Sequence, residues 1–335
     1  MPRPWRRYAF RLLIGSAATG AFLWLFLRQV DLGEAWNEIT SLPGWTMLAA
    51  LGLILANVFL MTLRWKYLLA GAGYTIGKRK LFSTISVGRA ANNLLPARGG
   101  DLLRIESLRE QNVPAFVTAG TLFAERLLDG VVLSVWILLG ALLIGEGGPV
   151  LYTGIGLSAG TAVGVFLVAL AARDSERTEA FIWRMTKWLP PRWHTRAARA
   201  AAHFVEGLGA FRGRKRVFLV FGTSAGMWLA DVAMYYIVGK AFGIEIGVGG
   251  YFLLEGVGNL TLAVPATAAG IGTFDYLTLV AARGIDVPAD KATAYVLTMH
   301  ALAVLPITIL GAVLVRPAFP RIFRRRKHAP AEEAG

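Results

Sequence analysis

The chain has 335 residues, 55% of them hydrophobic, with 35 Lys and Arg against 21 Asp and Glu and no cysteine. A mean hydropathy of +0.53, with several runs near the roughly 20 apolar residues that span a bilayer, marks an integral membrane protein. Lack of cysteine excludes disulfides and thiol chemistry, and a formal charge of +14 placed in loops and tails points to anionic headgroups at the cytoplasmic leaflet, not to nucleic acid.

In chain order, Arg3, Arg6 and Arg7 precede an apolar run at 8–27 that ends in Leu27-Arg28-Gln29 with no small-residue cleavage site. It reads as an uncleaved first helix, not a signal peptide. Five further full spans are predicted at 45–63, 115–144, 150–172, 217–239 and 292–315. The distribution of Lys and Arg orients them. The basic N-terminus is expected inside. Residues 28–44 hold one Arg against Asp31, Glu34 and Glu38 and are expected outside, as are 145–149, with only Glu146, and 240–250. Residues 64–80 hold Arg64, Lys66, Lys78, Arg79 and Lys80 with no acid and are expected inside. So is the stretch 173–216, with eleven Lys/Arg against four Asp/Glu. Within it, 178–190 mixes Phe181, Trp183, Met185 and Trp188 with Arg184 and Lys187, which suits a helix lying at the headgroups. The expected organisation is one membrane domain over 1–316, with halves at 1–145 and 150–316. A basic and then acidic disordered tail at 317–335 follows, on the cytoplasmic side.

Two apolar segments do not fit as full spans. The first reads SVGRAANNLLPARGGDLLR at 86–104; the second reads EGVGNLTLAVPATAAGIGTFDYL at 255–277. Each runs from Val-Gly to Pro-Ala, then through small residues to Asp101 or Asp275. About 15 helical residues before each turn reach only about 22 Å, short of a roughly 30 Å hydrocarbon core. A full crossing at 81–95 would also invert every later loop. Residues 81–112 are therefore read as a hairpin dipping in from the inside and 251–282 as one dipping in from the outside. Pro/Gly-broken segments at matching places in two halves signal an inverted repeat with a transport site between them. The alternative is two tight pairs of short, tilted spans.

Ionisable residues in membrane segments are functional candidates by default. Glu125, Arg126 and Asp129 fall within the 115–144 span. Glu125 and Asp129 share a helix face and call for a cation, with Arg89, Arg98 and Arg104 of the first hairpin as candidates. The alternative leaves Glu125 near the headgroups at the start of a long helix. In LPARGGDLLR, Pro96 ends a helix, Gly99 and Gly100 allow close approach, and Asp101 can cap the next helix. Arg98 and Arg104 offer phosphate-binding forks; the alternative is that they snorkel to the interface. On the second hairpin, Pro265, Gly270, Gly272 and Asp275 repeat the pattern, with Glu255 on the descending arm. Asp231 lies deep in its span beside Trp228 and needs a cation or a proton. His300, alone in the last span, reads as a packed, hydrogen-bonded histidine. No metal, cofactor, P-loop or catalytic signature is expected.

Four ordered stretches carry a family resemblance: Arg64-Trp65, LPARGGDLLR at 95–104, ERLLDG at 125–130 and VPATAAGIGTFD at 264–275. With these the chain resembles the lysylphosphatidylglycerol synthase transmembrane-domain family, also called flippase-like or UPF0104 proteins. It departs at 268–270, Ala-Ala-Gly where the family usually has Pro-Gly-Gly, and at Asp275, where it usually has Glu. In two-domain relatives a cytosolic aminoacyltransferase follows; this chain ends about 20 residues after its last span, so no such domain and no enzyme activity are expected. The resemblance implies movement or binding of a lipid across a bacterial cytoplasmic membrane: an anionic phospholipid such as an aminoacylated phosphatidylglycerol, a hopanoid or a polyprenyl-phosphate glycolipid. Arg89, Arg98, Gly99, Gly100, Asp101, Arg104, Glu125, Arg126, Asp129, Asp231, Glu255, Gly270, Gly272 and Asp275 are the expected substrate-binding set. An accessory subunit presenting lipid to a separate transferase and a secondary transporter of a small anion stay open as alternatives, as does assembly into a homo-oligomer.

Overall fold

Backbone N–H and C=O groups in a bilayer must be satisfied within the chain, and an apolar chain without barrel-forming alternation can do that only as helices. The computed structural model describes residues 32–95, 99–145, 147–188, 190–263 and 268–318, and in these every regular element is helical. In chain order they are α1 (Leu32–Thr40), α2 (Gly44–Gly71), α3 (Lys78–Leu94), α4 (Gly99–Arg109), α5 (Ala115–Ile144), α6 (Gly148–Arg173), α7 (Ser175–Met185), α8 (Pro191–Gly207), α9 (Arg214–Ala241), α10 (Gly247–Ala263), α11 (Thr273–Gly284) and α12 (Ala289–Ala318). Short 3-10 turns stand at Gly209–Arg212 and Ala268–Gly270. Helices α2, α5, α6, α9 and α12 are long and apolar enough to cross a membrane. The sixth expected span, 8–27, lies outside the described residues.

The second span differs from its expectation. It was predicted to end at Leu63, with Arg64 opening a basic loop, yet α2 runs on to Gly71. Arg64 does not leave the bundle because its charge is met inside it, and Trp65, Leu68 and Leu69 are fully buried behind it.

The two halves repeat one plan. Helices α2, α3, α4 and α5 have 28, 17, 11 and 30 residues; α9, α10, α11 and α12 have 28, 17, 12 and 30. Each half is a long span, a hairpin of two short helices and a second long span. The packing is exchanged between halves. The two first spans, α2 and α9, lie on each other; α3 packs on α12, and α10 packs on α5. The short helix before each first span follows suit, α1 on α12 and α8 on α5. These crossings are antiparallel. Along α2 and α9, Asn57 meets Met227 while Gly71 meets Ala210 just before α9. Along α10 and α5, Gly249 meets Leu143 while Gly256 meets Leu133. Equivalent elements that run in opposite directions make an inverted repeat, with a pseudo-two-fold axis across the bundle.

Both ends of each hairpin stay at one end of the bundle. Lys80 at the start of the first reaches Glu110 at its finish, at 3.6 Å, and Thr84 bonds Ser107 between the arms at 2.8 Å. Residues at both ends of the second, Gly247 and Ile285, sit with Ile144 at the far end of α5. The hairpins thus enter from opposite ends. Their 17-residue first arms span about 25 Å, against about 45 Å for α5 and α12. Each hairpin anchors its own apolar core. One core joins Trp65, Leu81, Leu108 and Leu128; the other joins Tyr235, Leu254, Phe274 and Tyr295.

Small residues permit the exchange. A Cβ on Gly140 would lie 2.8 Å from the Leu253 amide nitrogen, between α5 and α10, and one on Gly311 would lie 2.3 Å from the Ala90 methyl, between α12 and α3. In lipid, where apolar burial drives little association, such backbone approach supplies the packing. Large apolar side chains face outward instead. Helix α6 is the extreme case, with only 6% of its most apolar stretch buried.

Candidate functional site

Where the first hairpin meets the long helices, three carboxylates and three guanidiniums pair off. Arg104, on α4, gives Glu125, on α5, two parallel hydrogen bonds of 2.9 and 3.0 Å. Both side chains are almost fully buried. The guanidinium also lies 4.1 Å above the Trp65 ring, a cation–π contact that a dry site strengthens. Asp129, one turn beyond Glu125, pairs with Arg64 of α2 and accepts from the Trp228 indole of α9 at 3.1 Å. Asp101, in the first turn of α4, takes Arg126 at 3.1 Å and Asn92 at 3.3 Å. Helices α2, α4, α5 and α9 are thereby tied by charge. Arg104 was expected as a phosphate fork; both its terminal nitrogens are held by Glu125 instead. Glu125 is buried and is not the headgroup anchor of the alternative reading.

The second hairpin answers the first. Asp275 sits in the first turn of α11 as Asp101 does in α4. Its Oδ2 accepts from the Gly272 amide at 2.9 Å, and its Oδ1 meets His300 Nδ1 at 2.6 Å. Asp101 and Arg126 are 25 residues apart, and so are Asp275 and His300. The two pairs occupy equivalent places in the repeat: each ties the second arm of a hairpin to the long helix that follows. His300 Nε2 also meets the Ala269 carbonyl at 3.0 Å. Both ring nitrogens face oxygen acceptors, which a neutral imidazole with one N–H satisfies on one side only.

A cavity of about 80 Å³ lies beside the pseudo-two-fold axis, lined in part by Asn57, Arg89, Asn93, Asp231, Tyr235 and Asn259. Its walls come from both first spans and the first arms of both hairpins, with Ala269 of the second turn and α12 closing it. Arg89 and Asp231, of opposite charge, both line it. The three asparagines are fixed by their amide nitrogens: Asn57 to Met227 O, Asn93 to Thr308 Oγ1 and Asn259 to Glu255 Oε1. Glu255 is fully buried, and its second oxygen has no partner among the described residues.

The expected set therefore divides. Asp101, Arg104, Glu125, Arg126 and Asp129 form the ion-pair cluster. Arg89, Asp231 and, behind Asn259, Glu255 belong to the cavity. Gly270, Gly272 and Asp275 shape the second turn, and Gly99 and Gly100 open α4. Arg98, Pro96 and Pro265 lie outside the described residues. Arg64 and His300 were not in the set. The signal for Arg64 was the apolar Leu68-Leu69-Ala70 beyond it, which keeps it within a helix. The signal for His300 was its match, in repeat register, to Arg126. Among the described residues no group of His, Asp and Glu is placed to hold a metal.

A family model described as the lysylphosphatidylglycerol synthase TM region matches residues 10–311. Glycosyltransferase AglD of Haloferax volcanii is 26% identical, the alignment covering 93% of this chain and 54% of that protein. The chain thus spans about half of that relative's length. A UPF0104 membrane protein of Methanothermobacter thermautotrophicus is 26% identical, with 81% of this chain and 84% of the relative covered. A second UPF0104 membrane protein, from Methanocaldococcus jannaschii, is 21% identical over 82% of this chain and 85% of its own.

Proposed function

Because the chain belongs to the lysylphosphatidylglycerol synthase TM region family, we propose that it is a non-catalytic lipid translocase, which carries a phosphate-bearing lipid headgroup between leaflets of a cytoplasmic membrane. The observation that supports this most is the polar cavity beside the axis of an inverted repeat, walled by the first arms of both hairpins. Two hairpins from opposite ends give such a site two routes of access, and rocking of one half against the other exchanges them. The headgroup occupies the cavity while the acyl chains stay in lipid. The ion-pair cluster around Glu125 and Asp129 holds the first hairpin to the long helices during this motion. Both termini and residues 173–216 are cytoplasmic in this reading, on the strength of their Lys and Arg excess.

The test is the lipid composition of each leaflet in a strain lacking the chain, with and without a complementing copy. Accumulation of one phosphate-bearing lipid in the inner leaflet, reversed by the copy, is the expected result. Unchanged asymmetry with loss of a modified lipid would instead favour a second reading: presentation of lipid to a separate transferase. The name of the Haloferax relative, a glycosyltransferase, gives that reading its support.

A further inference from the structure

The cavity contains one side chain whose hydrogen-bonding capacity is barely used. Arg89 carries five N–H donors, and among the described residues its only hydrogen bond goes to the Met61 sulfur, at 3.0 Å. A thioether is a weak acceptor. The buried guanidiniums nearby are placed otherwise: Arg104 is forked onto Glu125 and Arg64 sits on Asp129. Those two also leave donors unused, Arg64 Nε and Nη2 and Arg104 Nε, but these are walled in by protein. Among the three, Arg89 is the guanidinium whose spare donors line a cavity.

The volume bounds the ligand. About 80 Å³ is far below the roughly 300 Å³ at which drug-sized pockets begin, so a small group fits and a whole lipid does not. The charge bounds it further. Empty, the site is neutral, with Arg89 balanced by Asp231. An anion on Arg89 would leave Asp231 without a cation in a low-dielectric interior, which is costly. The surroundings offer Asp231 no second cation in the cavity. From α5 come Asp129, already paired with Arg64 of α2, and Arg126, held by Asp101; from α10 comes Glu255; the lining from α2 and α12 is neutral, with the Asn57 amide beside Asp231; and on α9 itself stands Tyr235. A proton on Asp231 is the simplest charge that restores balance.

We propose that the cavity is a joint anion and proton site, in which a phosphate group binds the free fork of Arg89 and Asp231 takes up one proton in exchange. This deepens the translocase reading and rests on it for the source of the phosphate. No bond is made or broken apart from the proton taken from water. The consequence is coupling: a proton gradient would bias the direction in which the headgroup moves.

The experiment is equilibrium binding to the full chain in detergent across a pH series, with two probes: dihexanoylphosphatidylglycerol and inorganic phosphate. The dihexanoyl lipid should bind about tenfold more tightly per unit fall in pH over the range in which Asp231 exchanges its proton, with one proton taken up per probe. Asp231→Asn should bind with a flat pH profile. Arg89→Gln alone strands Asp231, so the neutral double variant Arg89→Gln/Asp231→Asn carries the second arm and should lose binding. Binding by the double variant equal to that of wild type, or an unchanged pH slope in Asp231→Asn, overturns the proposal. Preference for either probe supports the site, but only preference for the lipid agrees with the translocase reading. Arg89-dependent binding without translocation in liposomes would leave this site standing and remove that reading; translocation with Arg89-independent binding would do the reverse.

Discussion

Arg104 and Glu125 exchange two charge-assisted hydrogen bonds with almost no water at either group. Such a pair adds little over an apolar replacement, yet is expensive to break from one side, because the remaining ion is stranded. Glu125→Gln should therefore destabilise the protein by about 3–5 kcal/mol, read as a fall in melting temperature in detergent. The double variant Arg104→Met/Glu125→Leu should recover most of that loss. Ala269 supplies a second residue-scale prediction. It holds φ +54°, a left-handed conformation that costs an L-residue with a side chain roughly 1–2 kcal/mol. Ala269→Gly should raise the melting temperature, since the carbonyl that His300 needs stays in place. The sequence showed both features in part. Glu125 and Asp129 on one helix face called for a cation, and Arg104 was among those considered. Arg64 was missed because a charge at the end of an apolar run looks like the start of a loop until its partner 65 residues away is seen. The Ala269 departure from the family pattern was visible, but its backbone angle was not.

At the scale of elements, the hairpins were legible and their mutual placement was not. Proline fixes where each first arm stops. Leu95 precedes Pro96 and is extended, at φ −106° and ψ 137°, as a residue before proline must be. Helix length then shows that these arms are short. What periodicity cannot reveal is that α3 lies against α12 and α10 against α5, because that exchange depends on glycines whose purpose appears only in three dimensions. Gly140 and Gly311 serve that exchange; Gly100 plays the same part between the two arms of the first hairpin, and Gly52 makes the comparison. Gly100 is backed by the Gly88 carbonyl, whereas a Cβ on Gly52 meets nothing within 4 Å. Gly100→Ala should cost about 1–3 kcal/mol or more through overpacking and loosen the first hairpin, seen as faster hydrogen exchange in α4. Gly52→Ala, on the same assay, should leave stability intact or slightly raised.

At the scale of the whole molecule, the repeat accounts for features that look unrelated one by one. Asp101 with Arg126 and Asp275 with His300 are the same tie in two halves, one built on a permanent cation and one on an imidazole. The antiparallel crossing of α2 and α9 puts the two halves in opposite orientations, so an inside loop for one corresponds to an outside loop for the other. Cysteine labelling in a chain with no native cysteine tests the direction: single cysteines within 173–216 should react only from the cytoplasmic side, and reaction from outside would reverse the assigned topology. The claim that joins fold to function is that the bundle moves a lipid headgroup. Its most direct measurement is translocation of a fluorescent phosphate-bearing lipid in proteoliposomes, followed by a quencher confined to the outer face. The account predicts that label exchanges between leaflets faster with the wild-type chain than in protein-free liposomes, and that Arg89→Gln/Asp231→Asn at matched incorporation returns to the protein-free rate. Exchange no faster than in protein-free liposomes, alongside uptake of free phosphate into the same vesicles, would contradict it and make the chain a carrier of a small anion.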